Sequence, residues 1–197
     1  LSVSAQTTKQ KNPMDMQNFG VILDDPGTRP VTVKTDVTYL EDAKNSLHID
    51  IYSPRGMKAG EKRPAIIFLN AIGETPGRPK VKSWTIYTSW PRLMAAQGYI
   101  GISMETDGAK VIQSLQSLFK FLETKGEAFG IDKDRLGVYA ASANVSQSSK
   151  YLMSNEACKG IKAAALYYGR PPVGPFRKDL PVLFLIAEGD MNPGYNG

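Results

Sequence analysis

The chain has 197 residues, 42% of them hydrophobic and 22% charged, which suits one globular domain with a sizeable core. Its net charge of +5 comes from short mixed clusters ("EKR", "GRPKVK", "DKDR") with no long Lys/Arg run and no interleaved aromatics, which argues against a nucleic-acid-binding face. No stretch approaches the roughly 20 apolar residues of a membrane helix, and the single cysteine, Cys158, rules out an internal disulfide framework.

In chain order, residues 1–30 are polar and punctuated by Pro and Gly, and read as a leader lying loosely on the surface. Val3-Ser4-Ala5 before Gln6 has the small-residue pattern that ends a secretory signal peptide, so the expected location is secreted or periplasmic. Residues 31–197 form the domain. "VTVKTDVTYL" alternates apolar and polar residues; after the turn "EDAKNS", "LHIDIYSP" alternates again, with Leu47, Ile49 and Ile51 on one face. The pair predicts an antiparallel hairpin. "PAIIFLN" (64–70) is a continuous apolar run, the pattern of a strand buried on both faces.

"SWTIYTSWPRLMAAQG" ends in a helical stretch closed by Gly98, and "YIGISME" is a further buried strand. "GAKVIQSLQSLFKFLETKG" is an amphipathic helix, with Val111, Leu115, Leu118 and Leu122 on one face. "RLGVYAA" is a strand and "NVSQSSKYLMS" a helix; "IKAAALYYG" and "PVLFLIAEG" are strands joined by a Pro-rich loop where a helix is missing or cut short. A hairpin followed by alternating strands and helices predicts an α/β, mostly parallel, doubly wound sheet. Ligands bind such sheets beyond the carboxyl ends of the strands, here the loops after Asn70, after Met104, around Ser142 and after Gly189.

Within that frame, Ala140-Ala141-Ser142-Ala143-Asn144 is a corner of small side chains around one hydroxyl. It is either a plain connection or a nucleophile elbow, the sharp strand-to-helix turn usually written G-x-S-x-G. Ala140 keeps the first position small, whereas Asn144 stands where the second glycine would be. A serine nucleophile needs an anion-stabilising pocket, an acid and a base. "FLNAIGETPG" supplies backbone N–H groups at Ala71 and Ile72, which with the N–H of Ala143 would form the oxyanion pocket. Asp190, just past the last strand, is the candidate acid, with Glu188 the alternative. The only histidine, His48, lies in the hairpin and reads as structural or surface. A catalytic histidine would follow one further strand beyond Gly197, and the chain reads as truncated at both ends.

The residues "RPAIIFLNAIGE", "WPRLMAAQGYIGISME", "GIDKDRLGVYAASANV", "IKAAALYYG" and "PVLFLIAEGDMNPGYN" together resemble the α/β-hydrolase superfamily, specifically its dienelactone hydrolase-like and acyl-esterase-like branch. The resemblance implies an α/β-hydrolase fold with an N-terminal antiparallel hairpin, lacking its last strand and helix. It implies Ser142 as nucleophile, Asp190 as acid and the backbone of Ala71, Ile72 and Ala143 as the oxyanion pocket. The implied activity is hydrolysis of a small-molecule carboxylic ester through an acyl-enzyme, with no metal or organic cofactor. A hydrolase fold kept as an inactive binding domain is the rival reading, and it would account for the non-glycine elbow. Trp84, Tyr87, Trp90 and Tyr195 are either the lining of an acyl pocket or helix-to-sheet packing, with packing preferred for Trp90.

Overall fold

The computed structural model describes residues 30–41, 46–75, 77–170, 174 and 176–186. The leader through residue 29, Glu188, Asp190 and Tyr195 lie outside the described residues.

The hairpin forms as expected. Strand β1 (Val31–Glu41) pairs antiparallel with β2 (Ser46–Pro54), placing Val31 opposite Pro54 and Glu41 opposite Ser46. The register shifts between Lys34 and Val37, where Asp36 adopts a positive φ of 54°. There the Asp36 N–H donates to Asp50 Oδ1 at 2.9 Å, so the irregular turn is held from the neighbouring strand. Then follow β3 (Arg63–Leu69), a 3₁₀ turn at Val81–Ser83, α1 (Thr85–Ala96), β4 (Ile100–Met104), α2 (Val111–Lys125), β5 (Ile131–Ala141), α3 (Ala143–Leu152), β6 (Ile161–Tyr167) and β7 (Val182–Leu185). The seven strands make one sheet in the order β1-β2-β4-β3-β5-β6-β7. Both pairings of β2 are antiparallel, and every pairing from β4 to β7 is parallel. The described residues between β6 and β7 contain no helix.

This order dictates the layers. From β3 the chain moves one way across the sheet to reach β4, and from β4 it moves the other way to reach β5. Right-handed crossovers therefore put α1 on one face and α2 on the other, with α3 beside α2. The main core lies on the α2/α3 face. Leu115, Leu118 and Leu122 of α2 are fully enclosed against alternate residues of the central strands, among them Ile67, Leu69, Val138 and Ala140. Each such leucine contributes about 1.5–3 kcal/mol by leaving water. Phe119 and Tyr151 stack across α2 and α3 with ring centroids 5.7 Å apart.

Two features go beyond simple alternation. In β2, Asp50 and Tyr52 are buried although their positions alternate with Leu47, Ile49 and Ile51. The reason is that β2 is an interior strand, flanked by β1 and β4, with α1 packed against it. At the other edge, the exposed Leu183 and Tyr168 line an apolar hollow of about 520 Å³ on the α1 face, and Leu185 and Ile186 are exposed as well.

Candidate active site

The corner serine sits between β5 and α3, in the middle of the sheet's carboxyl edge. Ala140 and Ala141 are fully buried and α3 begins at Ala143, so the chain must reverse at one residue. Ser142 does so at φ 54° and ψ −128°. A non-glycine residue in such a conformation costs on the order of 1–3 kcal/mol and persists only where its surroundings over-determine it. Here they do: the Ser142 N–H donates to the Tyr167 carbonyl at 3.0 Å, and its own carbonyl accepts from the Val145 N–H at 3.1 Å. Ser142 is thereby half-buried at the head of α3. Ala143 is exposed, and its N–H is one of those that a helix start leaves without an intrahelical partner.

The space that glycines supply in the usual elbow comes from elsewhere. Gly169, in the turn after β6, faces the elbow so closely that a Cβ there would fall inside the Val145 side chain and 2.7 Å from the Ser142 carbonyl oxygen. A small residue at the neighbouring strand's exit thus makes room for Val145 and the Ser142 carbonyl.

Asn144 is buried, as are Asn70 and Thr106. Its Nδ2 donates to the Asn70 carbonyl at 2.6 Å, with Asn70 Oδ1 at 3.2 Å and Thr106 Oγ1 at 3.3 Å. The Thr106 hydroxyl donates to Asn70 Oδ1 at 2.6 Å, and Asn70 Nδ2 donates to Glu74 Oε1 at 2.7 Å. Three of the four loops expected at the carboxyl edge are therefore joined by one hydrogen-bonded network.

The loop after β3 is fixed at its far end too. The Glu74 N–H donates to the Thr106 carbonyl at 2.8 Å, and Glu74 Oε2 accepts from the Val81 N–H at 2.8 Å. Gly73 presses against the Gly108 backbone with no room for a Cβ. Burial holds the Glu74 carboxyl above the usual range despite the Val81 bond. Burial, and to a lesser degree Tyr168, pushes the pKa of the buried Tyr87 hydroxyl up strongly, and the Ala71 backbone works the other way. Ile72, next in the loop, is exposed.

Of the sequence-predicted residues, Ser142 and Ala143 thus lie at the elbow, and Ala71 and Ile72 on the loop tied to it. Asp190 is outside the described residues, but β7 runs parallel to β6 with Leu185 opposite Tyr167. The Leu185 carbonyl accepts from the Tyr168 N–H at 2.8 Å, and β6 lies between β7 and the β5 strand that leads into Ser142. His48 is half-buried with Nδ1 3.2 Å from Glu105 Oε2. Trp90 lines the apolar hollow with Ile86, Met94, Phe68 and Tyr139, and Ser142 is not among its lining residues. Among the described residues no group of three or more His, Cys, Asp or Glu is placed to share a metal ion. Sequence reasoning missed Thr106, Glu74 and Gly169, and took Asn144 only as a departure from pattern.

No protein-family model matches the chain, and no curated protein does. Solved structures do match. Esterase B from Lactobacillus rhamnosis aligns over 71% of this chain and 48% of its own, with 19% identity and a TM-score of 0.56. Brefeldin A esterase, described as a bacterial homologue of human hormone-sensitive lipase, aligns over 76% and 43% with 14% identity and a TM-score of 0.57. The fold is that of the α/β-hydrolases. Thermogutta terrifontis esterase 2, solved phosphoramylated by tabun, aligns over 75% and 58% with 16% identity and a TM-score of 0.54. The chain spans about half the length of these hydrolase-fold structures.

Proposed function

We propose that the protein is a serine hydrolase of small-molecule carboxylic esters, with Ser142 as nucleophile. The observation that carries this reading is the strained backbone of Ser142 at a strand-to-helix corner, beside a loop that a buried network holds in place. A plain connection has no need of a positive φ on serine. The esterases among similar structures support it, one of them having reacted with an organophosphate. Within the superfamily, the "GIDKDR" lead-in and the "DMNPGYN" loop favour the dienelactone hydrolase-like and acyl-esterase-like branch.

In this reading Ser142 Oγ attacks the acyl carbon while a base takes its proton. The carbonyl oxygen of the ester becomes the oxyanion of the tetrahedral intermediate and meets the amides of Ile72 and Ala143, with the Ala71 amide alongside. Collapse breaks the acyl–oxygen bond, and the alcohol leaves with the proton that the base returns. Water repeats the sequence on the acyl-serine and releases the acid. His48 lies on β2, with β4 and β3 between it and the strand that leads into Ser142, so the base called for is a histidine carried by chain beyond Gly197, oriented by Asp190. The Val3-Ser4-Ala5 pattern favours export of the protein. Turnover of a short p-nitrophenyl ester by the full-length protein and its Ser142→Ala variant tests the reading. Ser142→Ala is expected to lose about 10³-fold or more in kcat. A folded wild type without turnover would instead favour the binding-domain reading.

A further inference from the structure

We propose that Asn144 is a positioning residue, whose side-chain amide locks the anion-stabilising loop onto the nucleophile elbow; the inference rests on the serine-hydrolase reading above. The peptide unit between Asn70 and Ala71 is planar and trans, so its carbonyl and its N–H point in opposite directions. Asn144 Nδ2 holds that carbonyl at 2.6 Å, which fixes the plane and with it the direction of the Ala71 N–H, and sets where the next unit, bearing the Ile72 N–H, begins. Asn144 is also the second residue of α3, one position after Ala143. One side chain therefore sets the distance between the two amides that receive the oxyanion.

The chemistry of the site requires an amide there. Asn144 donates to a carbonyl, while Asn70 Oδ1 already accepts from Thr106, and Asn70 Nδ2 is committed to Glu74. An aspartate at 144 would set a carboxylate against the Asn70 carbonyl, and a glycine would leave that buried carbonyl without its side-chain donor. Asn144 thus takes over by hydrogen bonding an alignment that the usual glycine leaves to the rest of the protein.

The test compares the full-length wild type with Asn144→Leu, Thr106→Val and a core control, Leu118→Ala. Amide hydrogen exchange of residues 71–75 and the rate of Ser142 labelling by a fluorophosphonate are both followed. Asn144→Leu is expected to speed exchange in that loop by about tenfold or more, while α2 keeps its protection. Its labelling rate should fall by about 10–100-fold, and kcat with it, at a KM within about twofold of wild type. Thr106→Val, which keeps the Asn144 bond, should show the same pattern more weakly, and Asn144→Ala, which removes the donor without adding bulk, carries the test if Asn144→Leu does not fold. Leu118→Ala should lower Tm without either signature. A wild type that does not label overturns the serine-hydrolase reading, and the positioning role with it, on the unsubstituted protein alone. A wild type that labels, with loop exchange or labelling unchanged in Asn144→Leu, overturns only the positioning role.

Discussion

Two buried polar clusters lie along the same sheet edge and are built on opposite principles. At the elbow, Asn70, Thr106 and Asn144 are neutral and meet through directional hydrogen bonds of 2.6–3.3 Å, with a carboxylate only at the periphery, on Glu74. Under the hairpin the groups are ionic. Lys82, 4% exposed, donates to Asp36 Oδ1 and Asp50 Oδ1 at 2.6 Å each. Its Nζ is 3.7 Å from Glu105 Oε1, which has no hydrogen-bond partner among the described residues, while Glu105 Oε2 meets His48 and Lys80. Burial works to lower the Lys82 pKa, but the bonds to Asp36 and Asp50 outweigh it and hold it above its ordinary value. The attraction within a buried ion cluster mainly offsets the desolvation of its own charges, whereas a satisfied network of neutral amides and hydroxyls fixes planes and distances. The ionic cluster pins the segment entering α1 to the hairpin; the neutral one sets geometry beside the serine.

Removing the cation should separate the two most sharply. Lys82→Met leaves the Asp50 and Glu105 carboxylates buried without it, and is expected to cost about 3–5 kcal/mol in urea unfolding. Labelling of Ser142 in the folded fraction should persist. Gly169→Ala strikes the other region, forcing a Cβ against Val145 and the Ser142 carbonyl. Overpacking of this kind costs about 1–3 kcal/mol, and here labelling should fall along with Tm. Thr106→Val removes the donor to Asn70 Oδ1, for a loss of about 1–3 kcal/mol; Thr106→Ser, which keeps the hydroxyl, should restore most of it.

The smallest effect belongs to Asp36. Its bond to Lys82 holds its pKa below the ordinary 3.8. A depressed carboxylate contributes stability that is complete above pH 3.8 and drains away as pH falls through the lower, folded value. Asp36→Asn should therefore lower Tm slightly at neutral pH, with the two Tm curves converging only below pH 3.8. Convergence at higher pH would show that Asp36 contributes nothing through its charge.

The architecture was legible because apolar runs and periodicities follow directly from burial. Leu115, Leu118 and Leu122 declared α2, and "PAIIFLN" a central strand, since little else explains such patterns in segments of this length. The corner at Ser142 was legible from its flanking alanines. What lay beyond reading was each place where two distant segments share one job. Gly169 follows two tyrosines at a strand end and carries no local mark of its closeness to Val145, across 24 residues of chain. Asn144 looked like a lapse from G-x-S-x-G because the pattern records the space needed, without recording which strand supplies it. Nothing in the sequence marks Asp50 and Lys82 as buried, since alternation cannot tell that β2 is covered on both faces.

The most direct measurement is to expose the full-length protein to a fluorophosphonate and map the adduct by peptide mass spectrometry. The account predicts a single phosphonylated residue, Ser142, with no adduct in Ser142→Ala. A folded protein that stays unmodified, or that carries its adduct on another serine, would contradict it.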